Sequence, residues 1–122
     1  MINTLLVALG GAIGAVMRYL IGLIPLKEPF AFPVKTFAVN ILGCFLIGLV
    51  VAIALKSECP NQRLTLFLKA GICGGFTTFS SFALESVDLI KNGNMPVALA
   101  YIALSVVLGV CAVWLAQCIV DD

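Results

Sequence analysis

The sequence has no histidine in its 122 residues, and only 11% of them are charged. Without imidazole, haem ligation through histidine, zinc–histidine centres and a serine–histidine–aspartate relay are all excluded. This argues against an enzyme. A soluble domain carries roughly a quarter charged residues, so the charge content also excludes an ordinary water-soluble domain. The five cysteines, Cys44, Cys59, Cys73, Cys111 and Cys118, form no C-x-x-C pair, and four lie in apolar runs, where small-residue packing is the expected role. A net charge of +1 supplies no basic surface for a nucleic-acid partner. The opening Met1-Ile2-Asn3-Thr4 lacks the basic stretch of a cleaved signal, and the apolar run after it is long enough to span, so a retained first helix is expected. No low-complexity tract divides the chain, which reads as one membrane domain over residues 1–122.

What is present is apolar: 62% of residues are hydrophobic and the mean hydropathy is +1.19. About 20 apolar residues cross a hydrocarbon core as a helix, and the polar junctions leave four such segments. The expected fold is an all-α membrane protein with four transmembrane helices, over approximately 2–24, 34–55, 64–90 and 96–120. Arg18 is the single charge in the first span, which stops at Pro25 and the Lys27-Glu28-Pro29 junction. Past Lys35, Asn40 is the one strongly polar side chain of the second span, and Lys56 to Arg63 is the next loop. The fourth span carries no charge but holds Ser105 and Gln117. In the third, Gly74-Gly75 is followed by Thr77-Thr78-Phe79-Ser80-Ser81-Phe82, a poor continuous helix, because glycine and hydroxyl-bearing residues favour other backbone geometry. The third helix is therefore expected to break near its middle. Non-helical backbone at that depth persists only when buried in protein or lining a cavity, where its carbonyls are natural cation ligands.

Orientation normally follows an excess of Lys and Arg on the cytoplasmic side. Here Lys56, Arg63 and Lys69 flank one side and Lys27, Lys35 and Lys91 the other, three against three. Insertion in both directions and assembly as an antiparallel, dual-topology homodimer is one reading of that balance; a statistical tie among few loops is the other. Gly10/Gly14 and Gly71/Gly75 are two G-x-x-x-G pairs, spaced for close helix contact either between subunits or within one.

Each hydrogen-bonding side chain at lipid depth is a candidate site, since it is costly there without a partner. Asn40 serves either as an interhelical structural bond or as a donor to a ligand. Arg18 either snorkels to the interface or lends positive charge to a vestibule. Ser105 either bonds the carbonyl of Tyr101 one turn back or faces a polar path. Phe79 and Phe82 share a helical face, and are packing residues or present positive ring edges to an anion beside the hydroxyls of Thr78, Ser80 and Ser81. Glu85 continues that face as a gate or proton site, or is an interfacial carboxylate near Asp88.

Taken in order, Gly10-Gly11…Gly14-Ala15…Arg18-Tyr19, Asn40-Ile41-Leu42-Gly43 and Gly74-Gly75-Phe76-Thr77-Thr78-Phe79-Ser80-Ser81-Phe82 resemble the CrcB/Fluc family of fluoride channels over essentially the whole chain. The resemblance implies a fluoride-selective channel of the prokaryotic plasma or inner membrane. It would passively export fluoride that enters as HF, lowering its toxicity, through two pores in an antiparallel dimer. It further implies that Phe79 and Phe82 line the pore with ring edges, that Asn40 donates to the ion, and that Thr78, Ser80 and Ser105 supply hydroxyls. Glu85 is then a pore-associated acid and Arg18 a vestibule residue. A structural sodium ion would sit at the dimer centre, held by the backbone carbonyls of Gly74 and Thr77. The family often has a second hydroxyl one turn beyond the Ser105 position; here that place is Gly109. Two rival readings are a four-span drug carrier and a structural subunit of a membrane complex. The carrier needs a carboxylate in the first span, which has none.

Overall fold

The computed structural model describes residues 1–26 and 31–122, so the expected Lys27-Glu28-Pro29 junction lies outside the described residues. Among those described, the only regular elements are helices. Three are long and apolar enough to cross a membrane: α1 (Ile2–Gly22), α2 (Val34–Lys56) and a terminal helix (Met95–Asp121). Large apolar side chains such as Leu5, Leu9, Val106, Val110 and Trp114 stand exposed along them. That outward face suits lipid, which needs no polar covering.

Between the second and last of these lies the segment expected to break, and it is more divided than the sequence suggests. It comprises α3 (Gln62–Leu66), a π-helical stretch (Phe67–Cys73), α4 (Gly74–Phe76), two extended residues, and α5 (Phe79–Lys91); the terminal helix is then α6. The Asn61 side chain caps α3 by accepting from the Leu64 N–H at 3.1 Å. Gly74 and Gly75 stay helical, and the interruption falls at Thr77 and Thr78, whose ψ angles of 158° and 115° are extended. The Thr78 hydroxyl restarts the chain as N-cap of α5, accepting from the Ser81 N–H at 3.1 Å. Neither half alone has the roughly 20 residues that cross a bilayer.

The glycines explain why the first half stays helical. A Cβ on Gly10 would lie 2.7 Å from the Phe67 carbonyl oxygen and 2.8 Å from the Gly71 Cα. One on Gly14 would meet the backbone of Ile72 and Phe76, and one on Gly75 the backbone of Gly11. The two G-x-x-x-G pairs therefore pack against each other within one chain, joining α1 to the π-helical stretch and α4. This corrects their use as motivation for a dimer: both small-residue faces are already occupied. A second close contact joins α2 to α6, where a Cβ on Gly48 would come within 2.7 Å of the Val113 carbonyl oxygen. The buried Gly109 of α6 lies against the Cys44 thiol of α2.

Where α5 meets α6, Leu89, Ala98 and the fully buried Tyr101 form a small core. Aromatic rings collect around it, with Tyr101 5.1 Å from Phe82 and 5.3 Å from Phe32 between centroids. Two lysines tie helix ends together. Lys35 Nζ donates to the Gly22 carbonyl at 3.0 Å and Lys56 Nζ to the Val120 carbonyl at 2.7 Å, each placing a cation on the carbonyl end of a neighbouring helix. The cysteines are all free thiols. Cys73 is a buried packing residue as expected, whereas Cys59 and Cys111 are exposed.

Candidate functional site

A helix that stops leaves its last four carbonyls without intrahelical donors. In a continuous third helix the Thr78 N–H would bond the Gly74 carbonyl and the Ser81 N–H the Thr77 carbonyl. Here the Thr78 N–H donates instead to Asn40 Oδ1 at 2.7 Å, and the Ser81 N–H goes to the Thr78 hydroxyl. The Gly75 carbonyl, also freed by the break, accepts from Arg18 Nε at 3.3 Å. The carbonyls of Gly74 and Thr77 are thus released from the helical pattern at the break.

Asn40 holds the break open from both sides. Its Nδ2 donates to the Thr78 carbonyl at 3.1 Å while its Oδ1 takes the Thr78 N–H, so one amide replaces both backbone bonds of an interrupted residue. The interhelical reading of Asn40 is therefore realised. Because an amide nitrogen carries two hydrogens, that bond leaves one N–H for another partner. Thr77 turns its hydroxyl back onto the Cys73 carbonyl at 3.0 Å.

These residues surround a groove of about 340 Å³ between α2, α6 and the break, and none of the side chains lining it is charged. Of the ten expected site residues, seven line it: Asn40, Gly74, Thr77, Thr78, Phe79, Phe82 and Ser105. Ser105 is the most informative. Its Oγ is buried with no hydrogen-bond partner among the described residues, so of its two readings the bond to the Tyr101 carbonyl is not formed. A buried hydroxyl without a partner costs about 1–3 kcal/mol, and this one belongs to a residue of the groove wall. The Phe79 and Phe82 rings, both on the groove wall, lie 5.7 Å apart and tilted at 49° to each other. Phe79 is 80% exposed and Ser80 is exposed, so the groove is open on that side.

Three expected site residues lie outside the groove. Ser80 adjoins it, with its hydroxyl 3.3 Å from that of Thr78. Arg18 borders a separate cavity of about 320 Å³ that shares Thr78 with the groove. Glu85 borders a third one beside Lys35, Thr36 and Asp88. Sequence reasoning missed five lining residues, Gly43, Cys44, Ile47, Cys73 and Val106. The signal for two of them was present: Gly43 and Cys44 follow Asn40 by three and four and share its helical face. A Cβ on Gly43 would collide with the Thr77 side chain, so only glycine lets α2 approach the break.

Apolar spanning helices around an uncharged groove define a small, multi-pass helical membrane protein. The profile of the family described as CrcB-like protein, Camphor Resistance (CrcB), matches residues 5–117. The chain is 42% identical over 111 residues to the fluoride-specific ion channel FluC of Azobacteroides pseudotrichonymphae, covering 90% of this chain and 89% of that one. It is 46% identical to the protein of the same name from Agrobacterium fabrum, covering 93% and 92%, and 46% identical to that of Phocaeicola vulgatus, covering 93% of each. The chain belongs to the CrcB-like family.

Proposed function

We propose that this protein is a fluoride-selective channel that lets fluoride leave the cytoplasm passively. The observation that carries the reading is the groove itself: Asn40, Thr78, Ser105 and the rings of Phe79 and Phe82 line one uncharged space, and the Ser105 hydroxyl has no partner among the described residues. Relatives named as fluoride channels over nine-tenths of their length support it. Fluoride is small and strongly hydrated, so a pore must replace its water with donors, yet hold it weakly enough to release it. Here the second Asn40 N–H and the hydroxyls of Ser105 and Thr78, the latter paired with Ser80 at 3.3 Å, are donors without fixed charge. Ring edges add weak positive potential. A carrier cycle has no carboxylate in α1 to work through.

In this reading the broken α3–α5 segment is the third of four spans, and two copies assemble antiparallel. The open side of the groove at Phe79 and Ser80 supports a second subunit closing it, as does the even split of basic flanks. One pore per groove gives two per dimer. The carbonyls of Gly74 and Thr77 fit a structural sodium ion between the subunits, because unwound carbonyls within a membrane are suitable ligands for it. When bound, that ion adds fixed positive charge near the pores and so lowers the cost of admitting an anion.

The test is purified protein in liposomes loaded with potassium fluoride, with efflux followed by a fluoride electrode. Rapid efflux is expected, and efflux no faster than from empty liposomes overturns the proposal. Two variants sharpen it. Ser105→Ala deletes a hydroxyl that makes no bond among the described residues, so thermal stability should hold or rise slightly while flux falls by about three- to tenfold, as for loss of one hydrogen bond. Equal flux would remove Ser105 from the path. Replacing all sodium with N-methylglucamine should weaken the dimer or the current, and indifference of both would count against Gly74 and Thr77 as ligands.

A further inference from the structure

Two of the five cysteines belong to the groove. Cys44 on α2 and Cys73 on the π-helical stretch line its wall, whereas Cys59, Cys111 and Cys118 do not, and all five are free thiols. Cys44 follows Asn40 by four residues and so lies one turn further along the same face of α2. Across from it is Gly109 of α6. A Cβ built there would have the Cys44 Sγ at 3.4 Å and no other atom of a neighbouring helix among the described residues within 4 Å, so the sulfur has open space beside it. No histidine or carboxylate lines the groove, and its other polar side chains are the amide of Asn40 and the hydroxyls of Thr77, Thr78 and Ser105. Among the described residues, the two sulfurs are therefore its only soft ligand atoms.

We infer that Cys44 and Cys73 make the groove a binding site for a soft monovalent metal ion, silver(I) or copper(I), and that the bound ion closes it to fluoride; the closure rests on the channel reading, the binding does not. Thiolate sulfur selects such ions, whereas carbonyl oxygens suit hard cations. Zinc is a poor competitor, because its protein sites take three or four cysteine, histidine or carboxylate ligands and the groove offers two. The thiolate, not the thiol, is the metal ligand. Each sulfur that takes up the metal gives its proton to water, so that one S–H bond is replaced by one S–metal bond with no change of oxidation state. A metal on one thiolate is neutral, and a metal on both carries one negative charge. Either occupies space in the groove, and the second also repels an entering anion. The channel then conducts only while its groove thiols are free.

The probe is silver nitrate in chloride-free buffer, since silver fluoride stays in solution where silver chloride does not. Two quantities are measured: silver retained per chain after dialysis, by elemental analysis, and fluoride efflux from liposomes before and after silver is added. The reference is a variant carrying Cys59→Ser, Cys111→Ser and Cys118→Ser, none of which lines the groove. It should retain silver, and its efflux should then fall to the protein-free rate. Adding Cys44→Ser and Cys73→Ser should abolish the retention and leave the remaining efflux insensitive to silver. Equal retention with and without the groove cysteines overturns the inference, as does efflux in the reference variant that ignores bound silver. Should the combined variant fail to reconstitute, Cys44→Ser or Cys73→Ser alone in the reference makes the comparison. Each should raise the silver concentration that halves efflux by about tenfold or more, since even outer-shell partners change metal affinity on that scale. No change in either overturns the inference. Absence of efflux in the unaltered protein before silver is added overturns the channel reading and the closure with it, while silver retention still decides the binding.

Discussion

Asn40→Asp abolishes fluoride flux while the protein still inserts and reconstitutes. The substitution is nearly isosteric, and the carboxylate still accepts the Thr78 N–H that Oδ1 now takes at 2.7 Å. What disappears is the Nδ2 pair of hydrogens, one on the Thr78 carbonyl at 3.1 Å and one left for a ligand of the groove that Asn40 lines. What arrives is a negative charge on a wall that has none. Two like charges 4 Å apart repel by about 4 kcal/mol at an effective dielectric of 20, a rate factor near a thousand. Flux in liposomes checks the loss, and size-exclusion in detergent checks that the fold survives. Flux within threefold of the unaltered protein would mean that the ion does not pass Asn40. Joint loss of flux and folded protein would make Asn40 a purely structural clamp on the break.

Two glycines one turn apart on α1 should respond in opposite ways. A Cβ on Gly14 would run into the backbone of Ile72 and Phe76, and backbone cannot swing aside as a side chain does. Gly14→Ala should therefore destabilise by about 1–3 kcal/mol or more, the usual cost of overpacking, and lower both the melting temperature in detergent and the yield of monodisperse protein. A Cβ on Gly11 meets nothing within 4 Å. Gly11→Ala should be neutral or slightly stabilising, since alanine is favoured over glycine in a helix by up to about 1 kcal/mol. Equal melting temperatures for the two variants would contradict the close seat of α1 on the π-helical stretch.

Hydropathy made the long elements legible. Twenty apolar residues in a row have few alternatives to a membrane helix, so α1, α2 and α6 follow from the sequence with little ambiguity. The partners did not follow. A G-x-x-x-G pair announces close contact but not with what, and Gly10 and Gly14 sit on the chain's own Gly71 and Gly75 neighbourhood. The break was legible in kind from its glycines and hydroxyls, but its place was set by a distant residue. Asn40, 38 positions earlier, supplies both bonds that let Thr78 leave the helix, while tight packing on α1 keeps Gly74 and Gly75 within it. The π-helical turn over Phe67–Cys73 left no mark, because one extra residue in a short apolar stretch does not alter its periodicity detectably. Of the site residues that meet, Asn40, Thr78 and Ser105 were legible because a polar side chain at depth is costly in lipid without a partner, whereas Gly74, Thr77, Phe79 and Phe82 were legible from the third-span motif.

The central claim is selection of fluoride by neutral donors in that groove. Its most direct test is the ratio of fluoride to chloride efflux from one preparation of liposomes, each ion followed by its own electrode under the same gradient. The account predicts fast fluoride efflux with chloride efflux indistinguishable from protein-free liposomes. Comparable rates for the two anions, or no fluoride efflux at all, would contradict it.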